Sequence, residues 1–195
     1  MNMLETNGFL IINKFINPSV AYSLSKRFEN IRDNSHIKHE ISNDDKTKFG
    51  DSTIPTCYVG STLPMFERLL LSLTEKMEKI TEKSLFPTYS YGRIYYRDSI
   101  LKRHIDRSSC EYSVTLCLST DQVKWPICIL DKNDIEHQVV QEPGDAIVYK
   151  GCEQLHWRNK FEGTSHSQLF LHYVDQNGPN AEYKFDKRSE LKINL

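Results

Sequence analysis

The chemistry of this chain turns on the triplet His104-Ile105-Asp106 and on a distant histidine, His156. In an extended strand, residues i and i+2 point to one face, so the imidazole and the carboxylate can grip a single ion together. With His156 beside them the donor set becomes two histidines and one carboxylate. That facial triad suits Fe(II) and leaves half the coordination sphere open. The triplet alone decides little. With seven His in 195 residues, chance supplies about 0.4 His-x-Asp triplets in a chain of this make-up. The plain alternative is an exposed strand carrying two ordinary polar residues.

The elements around these residues sharpen the choice. Gly8 to Phe15 is apolar and β-branched enough for an opening strand. Asn17-Pro18 supplies an N-cap and a first-turn proline, and Val20, Leu24, Phe28 and Ile31 recur at helical spacing. A helix is therefore expected over about 18–32. Asp33 to Asp51 turns polar without a period and reads as a long loop; the stretch to Tyr58 is a candidate lid. Ser61 to Lys83 carries Leu63, Phe66, Leu69, Leu70, Leu73, Met77 and Ile80, the pattern of one amphipathic helix packed on a sheet.

After Pro87 short strands follow one another. Tyr89–Tyr96, Leu101–Asp106, Tyr112–Ser119, Val123–Leu130, Glu136–Gln141, Ala146–Tyr149 and Ser167–Val174 are expected, with Pro143-Gly144-Asp145 as a turn. The pattern is mainly β with flanking N-terminal helices, a jelly roll (double-stranded β-helix) or a similar double sheet. We read residues 1–195 as a single domain: helical support over 1–86, a β core over about 87–175, and a surface-wrapping tail over 176–195.

Composition excludes some functions. A hydrophobic share of 38% and a charged share of 26% describe an ordinary globular chain, and the formal net charge of -1 gives no electrostatic footprint for nucleic acid. Cys57, Cys110, Cys117, Cys128 and Cys152 are an odd set without a CxxC, which suits reduced thiols in a cytoplasmic protein. The longest apolar burst, around Leu69 to Leu73, is far too short to span a membrane, and no signal pattern opens the chain. A soluble cytoplasmic protein is expected, and nothing in the sequence sets its oligomeric state.

The order of these features resembles the Fe(II)/2-oxoglutarate-dependent oxygenases, in particular the prolyl-4-hydroxylase-like branch. A tyrosine precedes a His-x-Asp, a second histidine follows about 50 residues later, and a terminal strand closes the set. The resemblance covers about residues 89–175. It implies His104, Asp106 and His156 as iron ligands, Pro143-Gly144-Asp145 as the turn before the strand that precedes the distal histidine, and Tyr96 as a wall of the 2-oxoglutarate pocket. It also implies Fe(II), 2-oxoglutarate and O2, with ascorbate as an optional addition, and the hydroxylation of a prolyl or other amino-acid-type substrate with release of succinate and CO2. The substrate would be a peptide, a protein or a small molecule. The retained Asp106 points to hydroxylation over halogenation.

One element departs from the family pattern. An Arg or Lys usually lies nine to twelve residues after the distal histidine and pairs with the far carboxylate of 2-oxoglutarate; here that window holds Ser165, His166, Ser167 and Gln168. On the last strand His166, Gln168, Phe170 and His172 share one face, which would put His166 and Gln168 in the pocket. Arg158 and Lys160 are rival anchors. Arg107, Trp125 and Trp157 are candidate substrate contacts, each with a plainer structural reading. His36 and His39 read as solvated, His137 as exposed, and His172 as a hydrogen-bonded core histidine or a hydrogen-bond partner of a metal ligand. Tyr89, Tyr91, Arg93 and Tyr95 fall on the face opposite Tyr96 and read as packing or rim residues. A non-catalytic or 2-oxoglutarate-independent cupin-like metal-binding module is the alternative function.

Overall fold

Strand parity organises the molecule, for which a computed structural model describes residues 3–34 and 47–193. On β11 (Ser165–Asp175), Leu169, Leu171 and Tyr173 face a helical layer, whereas Phe170 and His172 face the space between two sheets. The same alternation on its neighbours builds two antiparallel sheets. In chain order the strands are β1 (Phe9–Ile12), β2 (Thr47–Phe49), β3 (Cys57–Ser61), β4 (Leu85–Tyr96), β5 (Leu101–His104), β6 (Tyr112–Thr120), β7 (Ile127–Leu130), β8 (Glu136–Val139), β9 (Ala146–Lys150), β10 (His156–Arg158) and β11. The larger sheet runs β1-β9-β6-β11-β4-β3-β2, and the smaller runs β5-β10-β7-β8. This is the jelly roll expected from the strand pattern.

The helices back the larger sheet. After a short α1 (Met3–Asn7), α2 (Pro18–Asp33) begins where Asn17 caps it, its side chain accepting from the Ser19 N–H at 2.9 Å. Phe28 and Leu24 of α2 join Phe66 and Leu70 of α3 (Pro64–Ser72) and Met77 of α4 (Thr74–Thr81). Together they bury against Ile94, Val114, Leu116, Leu169 and Leu171.

Three expectations need correcting. The single helix over 61–83 is two helices that meet at Leu73, where the Ser72 hydroxyl bonds to the Leu69 carbonyl and the Thr74 hydroxyl to the Leu70 carbonyl. Such side-chain bonds to the preceding turn loosen a helix. Cys57–Ser61 is a strand rather than loop and helix start, because its alternating side chains pair with β4. Thr47–Phe49, read as loop, pairs with β3. The tail also has definite structure: Ala181–Lys187 forms a kinked 3-10 segment, and Arg188 is anchored to buried Glu67 at 3.0 Å. His36 and His39 lie outside the described residues, as do residues 35–46 of the candidate lid. Among the described residues, no helix is long and apolar enough to cross a membrane.

Candidate metal centre

Register brings the triad together. β10 runs antiparallel to β5 with His156 directly across from His104, and the two rings lie 4.2 Å apart between centroids. β5 ends at His104, so Asp106 lies beyond the strand and not on it as alternation supposed. Its backbone N–H donates to the Gly151 carbonyl at 2.8 Å, which fixes the carboxylate beside the imidazoles. His104 Nε2 is 3.6 Å and His156 Nε2 3.7 Å from Asp106 Oδ1. Bonds of about 2.0–2.2 Å from a first-row metal to N and O put adjacent ligands about 3 Å apart. The donor set thus closes on an ion with small shifts.

Both imidazoles are set to ligate through Nε2. His104 Nδ1 lies 2.8 Å from the Lys102 carbonyl, and His156 Nδ1 3.0 Å from the Gln154 carbonyl. A carbonyl only accepts, so each Nδ1 carries the proton and each Nε2 keeps its lone pair for a metal. Burial is the main cause holding the His156 pKa below the usual imidazole value, with Asp106 opposing it. A neutral imidazole results.

Asp106 offers one oxygen and commits the other. Oδ2 accepts from the Ser113 hydroxyl at 3.0 Å and the Tyr149 hydroxyl at 3.1 Å, leaving Oδ1 toward the imidazoles. Gly151 makes room for this arrangement. A Cβ there would stand 2.1 Å from the Cys110 carbonyl oxygen and 2.7 Å from both Asp106 Oδ2 and Ser113 Oγ. Sequence reasoning missed Ser113, Tyr149 and Gly151, because nothing in their spacing links them to position 106.

The triad lines a cavity of about 360 Å³. Tyr89, Tyr91 and Arg93 of β4 and Phe170 and His172 of β11 form its walls, with Arg107 and Asp186 also lining it. Arg93 is paired with Asp51 at 2.5 Å, and Arg107 with Asp186 at 2.9 Å. His172 Nδ1 lies 2.9 Å from Ser113 Oγ, and burial pushes its pKa down to about 4. Tyr89, Tyr91 and Arg93 thus take the face that sequence reasoning gave to Tyr96. The Tyr96 hydroxyl instead accepts from Arg32 on α2 at 3.1 Å, and its side chain packs on the helical side, outside the cavity.

A second polar group is buried outside the lining of that cavity. Arg158 follows His156 by two residues on β10, points the same way, and is 1% exposed. It donates to the Trp125 carbonyl at 2.7 Å and to Gln141 Oε1 at 3.1 Å. Its guanidinium lies 4.7 Å over the Trp125 ring. Gln168 donates to the Thr115 hydroxyl at 2.7 Å and to Gln141 Oε1 at 3.1 Å, while accepting from His166 at 2.9 Å. Among the described residues Arg158 has these two hydrogen-bond acceptors and no ion-pair partner, and His166 Nδ1 is buried without a partner. Burial holds His166 down to about 3, so it stays neutral and is no cation at neutral pH.

The remaining sequence candidates lie elsewhere. Lys160 is exposed and pairs with Asp98 at 2.7 Å, far from any interior role. Trp157 is buried beneath Arg103, whose guanidinium lies 3.8 Å from its ring, and does not line the triad's cavity. Trp125 lines a second cavity, with Gln141 and His166, and no part of the triad's cavity. His137 is half-exposed against Asp131 at 2.9 Å.

Solved structures of Fe(II)/2-oxoglutarate oxygenases share this two-sheet jelly-roll fold. HygX from Streptomyces hygroscopicus, with nickel and 2-oxoglutarate bound, matches with a TM-score of 0.68 at 15% identity over 90% of this chain and 85% of that one. A prolyl-4-hydroxylase from Pseudomonas putida matches with a TM-score of 0.69 at 13% identity over 88% and 95%. An oxidoreductase of the 2OG-Fe(II) oxygenase family from Burkholderia pseudomallei matches with a TM-score of 0.63 at 15% identity over 89% and 87%. No protein-family model matches the sequence, and a search of curated proteins finds no relative.

Proposed function

We propose that the chain is a non-haem Fe(II) and 2-oxoglutarate-dependent dioxygenase that hydroxylates a prolyl or other amino-acid-type substrate. The overall reaction converts R–H, O2 and 2-oxoglutarate into R–OH, succinate and CO2. The observation that carries the reading is the donor set of His104, Asp106 and His156, with both imidazole tautomers fixed for Nε2 ligation and one carboxylate oxygen committed elsewhere. Bound iron would supply the O2-dependent redox chemistry. The neighbours support that cofactor set: HygX structures hold iron in one case and nickel with 2-oxoglutarate in another.

The protein's own part is to hold, orient and keep water out. Arg158 is our choice for the far carboxylate of 2-oxoglutarate. A buried guanidinium without an acid is costly, and an anion arriving from outside would satisfy it. Arg93 and Arg107 already hold Asp51 and Asp186, so they are weaker candidates. Gln168, Thr115 and His166 would complete the far end of the cosubstrate site. Tyr89, Tyr91 and Phe170 would wall the substrate side. The neighbours bracket the substrate between a prolyl-4-hydroxylase and an enzyme crystallised with hygromycin B. A succinate-release screen against amino acids, short peptides and aminoglycosides tests the reading. Substrate-dependent succinate that His104→Ala and Asp106→Ala abolish supports it, and succinate indifferent to both variants sinks it.

A further inference from the structure

Arg107 stands next to Asp106 in the chain and lines the cavity, its guanidinium 4.6 Å over the Tyr89 ring and Nη2 2.9 Å from Asp186 Oδ2. The two ends of this ion pair are held differently. Arg107 sits on a braced rim: its carbonyl accepts from the Cys110 N–H at 2.8 Å and the Cys152 thiol at 3.3 Å, and the preceding Asp106 N–H is bonded to Gly151. Asp186 sits at the centre of Phe185, Asp186 and Lys187, with φ of 52°, 55° and 62°. Three consecutive residues with side chains in the left-handed region is a conformation L-residues avoid. Bonds on either side hold the strap down, from Asn180 to Glu111 at 3.2 Å and from Arg188 to the Thr88 carbonyl at 2.9 Å. Moving Arg107 would disturb the loop that carries a metal ligand. Moving Asp186 would relax a strained strap.

We propose that Arg107 is the recognition point for a carboxylate on the primary substrate, and that Asp186 occupies it as a built-in surrogate until substrate displaces it. The inference rests on the oxygenase reading and narrows its substrate class. The Tyr89 ring lies against the Arg107 guanidinium and the Phe170 ring lines the same cavity, walls suited to a ring-sized or apolar body carrying the acid. A free amino or other organic acid fits this arrangement, whereas an internal residue of a peptide lacks the carboxylate. Displacement would expose the strap over 185–188 and leave the mouth open only while the surrogate is off.

The test uses three probes of one shape and three charges (benzoate, benzamide and benzylammonium) on full-length protein loaded with Fe(II) and saturating 2-oxoglutarate under argon. Calorimetry reads affinity, and amide hydrogen exchange reads the strap. Benzoate is expected to bind at least tenfold tighter than benzamide and to speed exchange over 185–188. Arg107→Gln should remove that tenfold preference. Asp186→Asn should tighten benzoate about two- to fivefold, the worth of a partly exposed ion pair that no longer competes. The proposal is overturned by undetectable benzoate binding, by benzoate binding indifferent to Arg107→Gln, or by benzylammonium binding tighter in a manner that needs Asp186. The iron–2-oxoglutarate absorption of the same samples reports the oxygenase reading separately, so the failure of one is not mistaken for failure of the other.

Discussion

Replacing Arg158 with Met separates a cosubstrate anchor from a structural arginine. The guanidinium is 1% exposed and, among the described residues, bonds only to the Trp125 carbonyl and Gln141 Oε1 and pairs with no acid. For the fold, the substitution strands two acceptors at about 1–3 kcal/mol each. It also removes a desolvated cation whose burial costs several kcal/mol. These contributions oppose each other, so stability should change by less than about 2 kcal/mol. For 2-oxoglutarate they add. Two charge-assisted bonds at about 1.5–3 kcal/mol each, lost in a dry site, amount to about 3–6 kcal/mol. The Kd for 2-oxoglutarate should rise at least a hundredfold. An anaerobic titration of the iron-loaded variant with 2-oxoglutarate measures it, with thermal unfolding of the metal-free protein alongside. If Arg158→Met binds 2-oxoglutarate within threefold of wild type while Arg93→Gln loses a hundredfold, the anchor is Arg93 and the reasoning from unpaired buried charge fails.

The remaining expectations concern the shell of Asp106, pH and the helical layer. Ser113→Ala and Tyr149→Phe should each weaken iron binding about 10- to 100-fold with the fold intact, as read by competition with a chelator. Gly151→Ala forces a Cβ to 2.1 Å from the Cys110 carbonyl; it should destabilise by about 1–3 kcal/mol and displace Asp106, so unchanged iron affinity would contradict the geometry. His166 and His172 are held by burial to about 3 and about 4, whereas unfolded imidazoles titrate near about 6.5. Below that value the unfolded chain takes up protons that the fold refuses. Stability of the metal-free protein should therefore be full above pH 6.5 or so and fall toward pH 4, by at most about 1.4 kcal/mol per pH unit for each histidine. Urea unfolding of His166→Gln should show a shallower slope. Phe28→Ala, which empties a site of 0% exposure between α2 and the sheet, should cost about 3–5 kcal/mol in the same assay.

The donor types of the site were legible in sequence, although the bond from the Asp106 N–H to the Gly151 carbonyl, and not strand alternation, sets the carboxylate in place. The order of strands after Pro87 implied a double sheet, but the short strand β10 that sets His156 across from His104 was not among them. The face carrying Tyr89, Tyr91 and Arg93 was also readable, but the tyrosine of the resembled family drew attention to Tyr96 on the other face. Residues that support the triad were not legible, because Ser113, Tyr149 and Gly151 reach Asp106 only through cross-strand register. Asp186 gave no signal at all: its role depends on a tail that Arg188 and Glu67 tie down across 121 residues. The helix over 61–83 looked continuous because its apolar period survives the break at Leu73. Hydroxyls at Ser72 and Thr74 were the local sign that the pattern overrode.

The central claim is that His104, Asp106 and His156 share one Fe(II) that also takes 2-oxoglutarate, and the most direct measurement is the visible absorption of Fe(II) and 2-oxoglutarate added to the protein without oxygen. A weak charge-transfer band that saturates at one iron per chain, and is absent from His104→Ala, Asp106→Ala and His156→Ala, is the expected result. A band that persists in the His156→Ala protein, or none in the wild type with both ligands in excess, would contradict it.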